Sequence, residues 1–265
     1  MRAVDLLWRL TAGSHGTERF ANLRYGGFKM RCDLNEMLQR QFYFFGTYFL
    51  EDEILSAWEI AAREAKVILD VGANAGIYSL AALASQPNAT VHAFEPTPEI
   101  AARLRETAKL NDLDRLHVHE VAVSDRAGQA ALKRWRGETG SNEGMNFIST
   151  DTSDPKAEHV GTVCLDQFCD NNAIDRIDLM KIDIQGNEPL AFAGAARLLR
   201  ERRIGTVFAE LNWYPGRHEE PAVQMIQTLE QAGFQFARPA ARLEWRQSGE
   251  WMRALNDIVA QSRPR

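Results

Sequence analysis

From residue 54 onward the chain alternates between two hydrophobic periods. Short apolar runs of strand type recur at KVILDV, TVHAFEP, LHVHEVAV, DLMKIDI and GTVFAEL. Between them lie stretches in which apolar residues return every three or four positions. EDEILSAWEIAAREA precedes the first strand, and in IYSLAALAS the residues Ile77, Leu80, Ala81 and Ala84 share one helical face. Thr97 and Pro98 have the chemistry of an N-cap and first helical residue, with Asn111 as a stop. A helix is predicted from about Glu188 to Arg200. Another, PAVQMIQTLEQAG, gathers Ala222, Met225, Ile226 and Leu229 and ends at Gly233. FQFAR and NDIVAQ follow as a candidate antiparallel edge. Strands alternating with helices predict an α/β fold, a mostly parallel sheet with helices on both faces.

Two segments depart from this rhythm. Residues 1–53 are expected to form an N-terminal cap on a main domain of residues 54–265. The stretch RQFYFFGTYFLEDE packs six aromatics into eight residues, and two readings compete: packing beneath the cap, or a lid facing substrate. Residues 136–159 hold few large apolar side chains and many Gly, Ser, Thr and Asp, predicting a long loop or hairpin excursion. A solvated insertion and a loop beside an active site are both open.

The chain of 265 residues is 45% hydrophobic and 25% charged, as in an ordinary globular protein with one sizeable core. No apolar run approaches a membrane span. The opening MRAVDLLWRLTAGSHG is too short in apolar residues for an export signal and is interrupted by Asp5, so a cytoplasmic location is expected. Cys32, Cys164 and Cys169 cannot all pair, which suits a reducing compartment. The two later thiols lack neighbouring ligands for zinc. A net charge of −5 argues against nucleic acid as the main partner.

The stretch KVILDVGANAGIYSL carries the candidate chemistry. A strand, a glycine loop and a helix N-terminus present unpaired N–H groups at the carboxyl edge of a sheet. Gly76-Ile77-Tyr78 lacks the lysine of a phosphate loop, and Ala73 stands where a dinucleotide fingerprint needs its middle glycine. Asp70, just ahead of the loop, would repel a pyrophosphate and suit a cationic group. S-adenosylmethionine, with an ammonium, a carboxylate and a sulfonium, meets these conditions. Gly72 and Gly76 would allow close backbone approach to the ligand, and Asn74 would add an amide contact or adopt the left-handed turn. Glu95, at the end of the next strand, is placed to accept the ribose hydroxyls. Adenine is expected beside Val121 and Ala122, with Glu120, Ser124 and Asp125 nearby.

In order along the chain, DVGANAG, AFEPTP, AVSDRAG, LMKIDIQGNE and FAEL resemble the FkbM-type S-adenosylmethionine-dependent methyltransferases over roughly residues 30 to 260. The resemblance implies a class I, Rossmann-like sheet of seven strands. It also implies O-methylation of a hydroxyl on a sugar, glycolipid or polyketide-type acceptor. Gln185 and Asn187 depart from the family's commoner DVEGAE, and Thr97 from its EPNP.

A hydroxyl acceptor must lose a proton, which calls for a base or a metal. Asp183 is the favoured base or acceptor-orienting group, with a turn-capping role as its competitor; it also borders the donor site. Glu210 is a second catalytic candidate and His218 an alternative base. Asp183, Glu210 and Asn212 together form an oxygen set that would suit Mg2+, as in catechol-type enzymes, should a metal take part. Glu188 is divided between capping and function. His117 and His119 share one side of a strand, His92 has the setting of a satisfied core histidine, and Trp213 and Tyr214 are candidate pocket walls. Trp135, Asn142 and Asn146 are further candidates for that pocket. Rival readings are a nicotinamide oxidoreductase and a non-catalytic S-adenosylmethionine-binding module. A homodimer through the cap is compatible with the sequence.

Overall fold

The computed structural model describes residues 18–48, 51–137, 140–141, 143–154, 156–210, 219–236 and 257–262. The chain opens with an antiparallel hairpin, β1 (Glu18–Asn22) and β2 (Lys29–Asp33), followed by α1 (Met37–Phe45) and α2 (Asp52–Ala62). The expected alternation then unfolds as β3 (Val67–Val71), α3 (Ile77–Ser85), β4 (Thr90–Phe94), α4 (Pro98–Leu110) and β5 (Leu116–His119). Next come β6 (Ala122–Val123), β7 (Gly128–Lys133), the short strands β8 (Arg136–Gly137) and β9 (Gly140–Ser141), β10 (Phe147–Ser149) and β11 (Glu158–Val163). The chain continues through α5 (Leu165–Asn171), β12 (Ile177–Ile182), α6 (Glu188–Ala193), α7 (Ala196–Arg200), β13 (Ile204–Glu210), α8 (Glu219–Gln231), β14 (Phe234–Phe236) and β15 (Asp257–Ser262).

The main sheet has seven strands in the order β14-β15-β13-β12-β3-β4-β5. From β13 to β5 every pairing is parallel, whereas β15 runs antiparallel to both β13 and β14. The late runs therefore do form an antiparallel edge, and the sheet is the one implied by the family resemblance. Side chains alternate between two cores because strand residues alternate faces. Ile68 and Leu179 join the cluster under α2, α3 and the hairpin, and Leu69, Met180 and Ile182 join that under α5 to α8. The N-terminal residues Ala21, Leu23, Met30, Cys32 and Phe42 are buried in the first of these clusters.

Three expectations need correction. The run LHVHEVAV is two strands: β5 stays in the main sheet, and Ala122–Val123 pair in parallel with Thr162–Val163 in a second sheet. The expected excursion is present, with a short β8–β9 hairpin, but β10 and the start of β11 within it join that unexpected second sheet, β10-β7-β11-β6. Its strand β7 (GQAALK) is short and alanine-rich, so nothing local marks it as a strand, and its pairing with β11 is non-local. The helix predicted from Glu188 to Arg200 is broken into α6 and α7 at Gly194, where a Cβ would stand 2.1 Å from the Ser124 carbonyl oxygen.

Candidate functional site

At the carboxyl ends of β3, β4 and β12 lies a cleft enclosing ≈ 1260 Å³ of atom-free space, part of it open to solvent. The loop after β3 gives Gly72, Ala73, Asn74 and Ala75 to its wall, the end of β4 gives Glu95 and Thr97, and the chain after β5 gives Val121 and Ala122. Lys181, Asp183, Gln185 and Glu210 close the β12–β13 side. The N-terminal segment contributes Leu38, Gln41, Phe42, Tyr48 and Glu51, and Met145, Asn146, Phe147 and Ile148 come from the chain at and just before β10. Sequence-predicted residues from five separate segments thus meet in one cavity.

The glycine loop is built differently from expectation. Gly72 (φ 81°) and Asn74 (φ 49°) both take left-handed conformations. A Cβ on Gly72 would lie 1.9 Å from the Asp183 carbonyl oxygen, so the close approach is between two chain segments. Gly76 (φ 85°) is not on the cavity wall; a Cβ there would meet Leu104 Cδ1 at 2.3 Å, which makes it a packing glycine for α3 against α4.

Asp70 is not on the wall either. It is 1% exposed, and its Oδ2 accepts the Ser79 N–H at 3.0 Å and the Ser79 hydroxyl at 2.6 Å. The carboxylate thereby satisfies an orphan donor in the first turn of α3. Burial pushes its pKa up, against the opposing pull of Lys181 and the Ser79 bonds. Its Oδ1 and the Thr97 hydroxyl are both buried without a hydrogen-bond partner. Glu95 stands on the wall as expected: Oε2 accepts the Asn74 N–H at 3.0 Å and Oε1 the Thr97 N–H at 2.8 Å.

The opposite end of the cavity is a charge network centred on Lys181. Its ammonium lies 3.0 Å from Asp183 Oδ2 and 4.5 Å from the centroid of the Tyr78 ring. Burial would lower its pKa, but Asp183, Glu51, Asp70 and Glu210 together drive it above the ordinary lysine range. For Asp183, burial works toward a higher pKa, yet Lys181 and hydrogen bonding with Glu210, Lys181 and Gln185 hold it below the usual carboxylate range. Gln185 donates to Asp183 Oδ1 at 2.8 Å and reaches Glu210 Oε2 at 3.4 Å. The competing turn-capping role falls to Glu188, which is 3% exposed and accepts the Ile184 and Gly186 N–H groups. Asn187 donates to the Ile148 carbonyl at 3.2 Å, tying the second sheet to this turn. Both departures from the family motif therefore have structural work.

Other candidates fall elsewhere. Glu120 is off the wall, paired with Arg105, and Ser124 bonds its neighbour Asp125. His92 is buried, bonded to His119 at 3.1 Å and stacked on His117. Asn146 and the neighbouring Met145 line the cavity, and Asn146 Oδ1 accepts the Trp135 N–H. Asn142, Asn212, Trp213, Tyr214 and His218 lie outside the described residues. Among the described residues no group of three His, Cys, Asp or Glu side chains is arranged to hold a metal, and beside Asp183 the positive charge is the Lys181 ammonium. Nor is any helix among them long and apolar enough to cross a membrane. Sequence reasoning missed Lys181 and Glu51. A lysine inside the six-residue strand IDLMKI was the available signal, since a buried ammonium requires carboxylates around it.

Residues 70–236 match the model of the methyltransferase FkbM domain. The chain is 33% identical over 165 residues to the 2-O-methyltransferase NoeI of Sinorhizobium fredii, covering 57% of this chain and 66% of that protein. It is 31% identical over 160 residues to the 31-O-demethyl-FK506 methyltransferase FkbM of Streptomyces tacrolimicus, covering 51% and 61%. The chain spans slightly less than two thirds of the length of these curated relatives. Among solved structures, an O-methyltransferase from Bacillus cereus in complex with SAH aligns with a TM-score of 0.44 at 13% identity, covering 79% of this chain and 80% of that one. With its seven-stranded class I sheet, the chain belongs to the FkbM-domain methyltransferase family.

Proposed function

We propose that the protein transfers a methyl group from S-adenosylmethionine to a hydroxyl of a small-molecule or glycan acceptor. The observation that carries this reading is one cavity joining Gly72–Asn74 and Glu95 to Asp183, Gln185 and Glu210. Glu95 would accept the ribose hydroxyls, and Val121 and Ala122 would flank the base. Gly72, Ala73 and Asn74 would line the methionine end, although their N–H groups already donate within the fold, to the Phe94 carbonyl and to Glu95. Asp70 would act from behind the wall by fixing α3 through Ser79. When bound, S-adenosylmethionine supplies an activated methyl on a sulfonium.

Alignment and exclusion of water are then the main tasks of the protein. Asp183, held ionised beside Lys181, is suited to take the acceptor's hydroxyl proton as the new O–C bond forms. Leu38 and Phe42 of the cap face the same cavity as Met145 and Phe147 at and just before β10, and these apolar groups would hold the acceptor and close it from solvent. The cap would thus serve as the lid. The named O-methyltransferases NoeI and FkbM support a hydroxyl as the acceptor group.

The test is transfer of radiolabelled methyl from S-adenosylmethionine to a panel of glycosides and polyketide-type alcohols, with and without EDTA. Labelled product carrying a methyl ether, abolished in Asp183→Ala, is expected. The metal-assisted alternative, using Asp183, Glu210 and Asn212, requires loss of transfer in EDTA. The Lys181–Asp183 pair favours transfer that persists.

A further inference from the structure

Gln185, two residues after the favoured base, sits in a backbone conformation that suits it poorly. Its φ is 56°, in the left-handed region, and Gly186 follows at φ 94°. Glutamine enters that region at a cost that glycine does not bear, because its Cβ crowds the backbone there. The turn after β12 is secured by other groups. Glu188 accepts the Ile184 and Gly186 N–H groups, and Asp183 donates its own N–H to the Val71 carbonyl at 3.0 Å. A strained residue in a turn that is held without it points to a use for its side chain.

That side chain lines the cavity, and its Nε2 lies 2.8 Å from Asp183 Oδ1 and 3.4 Å from Glu210 Oε2. Asp183 is held ionised, and an ionised carboxylate only accepts, so the amide nitrogen is the atom that must face it. The other oxygen, Oδ2, accepts from Lys181 Nζ at 3.0 Å. These two donors do different things. An ammonium is a compact charge with three rotatable donors, and it does not set the plane of its partner. A planar amide on the opposite oxygen completes a two-point hold, and the carboxylate cannot rotate about its Cβ–Cγ bond without losing a donor. The hold is made between residues 181, 183 and 185 and does not depend on the remaining neighbours of Asp183 or Glu210.

We infer that Gln185 is a positioning residue for methyl transfer, whose amide fixes the orientation in which the Asp183 carboxylate meets the acceptor hydroxyl. The inference rests on the reading above, in which Asp183 takes the acceptor's proton. The effect of Gln185 passes through Asp183, so it bears on the rate of transfer and not on the hold on S-adenosylmethionine. Misplacing a reacting group by about 1 Å costs up to about a hundredfold in rate, which makes the orientation of one carboxylate a measurable quantity.

The test compares wild type with Gln185→Gly and Gln185→Met. Glycine relaxes the left-handed turn and removes the amide, whereas methionine keeps the length of the side chain and removes the donor. Circular dichroism and thermal melts establish that both variants fold. Calorimetry measures S-adenosylmethionine binding, and labelled methyl transfer is followed on the glycosides and alcohols that wild type methylates. The expected result is a fall in kcat of about tenfold or more in both variants, with the Kd for S-adenosylmethionine within about twofold of wild type. A residue that only shapes the turn predicts the opposite for glycine. Retained transfer in Gln185→Gly, or a loss of donor affinity that matches the loss of transfer, overturns the inference. Crystal structures of the three proteins supply a reading that needs no acceptor. The Asp183 carboxylate should be rotated in both variants, and an unmoved Asp183 overturns the inference. Wild type that methylates no alcohol, while Asp183 still turns in the variants, overturns the hydroxyl-transfer reading above and the catalytic role of Gln185 with it.

Discussion

Asp70 and Lys181 stand side by side in register on the adjacent parallel strands β3 and β12. Both are buried, at 1% and 6% exposure. A carboxylate and an ammonium are thus built into the sheet directly beneath the cavity, with Asp183 two residues further along β12's exit. Lys181→Met should remove a buried cation from a cluster of buried acids. Breaking such a group costs about 3–5 kcal/mol. Without the ammonium, the acids would have folded pKa values above their unfolded ones, so stability lost at neutral pH returns as pH falls and they protonate. Urea titrations of wild type and variant at pH 7 and pH 5 measure this, and the expected gap narrows at the lower pH.

Gly72 is predicted to be intolerant of any side chain for reasons unrelated to ligand. With φ at 81° and the Asp183 carbonyl 1.9 Å from a Cβ, Gly72→Ala must displace backbone. A loss of about 3 kcal/mol or more is expected. Gly27 is the control: its φ is also positive, at 66°, but nothing lies within 4 Å of a Cβ. Gly27→Ala should cost about 1 kcal/mol from the conformation alone. Thermal melts of the two variants should separate clearly.

The histidine stack predicts acid sensitivity. Burial, together with the neighbouring histidines His117 and His119, lowers the His92 pKa to about 4. Burial, His117 and Arg105 lower that of His119 to about 4. Phe94 and Phe168 pack on the same rings and offer no counter-charge. Both histidines are neutral in the fold but protonate near pH 6.5 when unfolded, so the unfolded chain binds more protons between those values. Stability is complete above about pH 6.5 and falls as pH drops toward 4, by up to about 1.4 kcal/mol per unit for each histidine. Denaturant midpoints from pH 7.5 to 4.5 test this, and His92→Phe should flatten the slope.

Much of this fold was legible because α/β alternation writes itself into periodicity. KVILDV and TVHAFEP are apolar runs too short for helices, and each is observed as a strand of the main sheet. β7 and β11 were not legible, since their partners lie about thirty residues apart in the chain and β7 is mostly small residues. The same distinction holds at the site. Glu95 follows directly from its strand end. The role of Asp70 does not, because which acid faces the cavity and which faces Ser79 depends on strand facing and helix packing. Glu51 lies at the end of the aromatic run RQFYFFGTYFLEDE, where the aromatics and the helix start, not the acid, are the local signals.

Asp70 and Glu95 should consequently separate in experiment. Asp70→Ala leaves the Ser79 N–H and hydroxyl unpaired and is expected to cost about 2–4 kcal/mol of stability. The folded fraction should bind nucleoside with affinity reduced only a few-fold. Glu95→Gln replaces one acceptor of the proposed ribose contact and should weaken nucleoside binding by about tenfold or more. Parallel urea titration and nucleoside binding on both variants check the division.

The most direct test is calorimetric titration of the purified protein with S-adenosylmethionine, with NAD as control and Glu95→Ala alongside. Micromolar binding of S-adenosylmethionine alone, weakened in the variant, is the predicted result. Folded wild-type protein that binds NAD, or that ignores S-adenosylmethionine both alone and with acceptor alcohols present, would contradict the account.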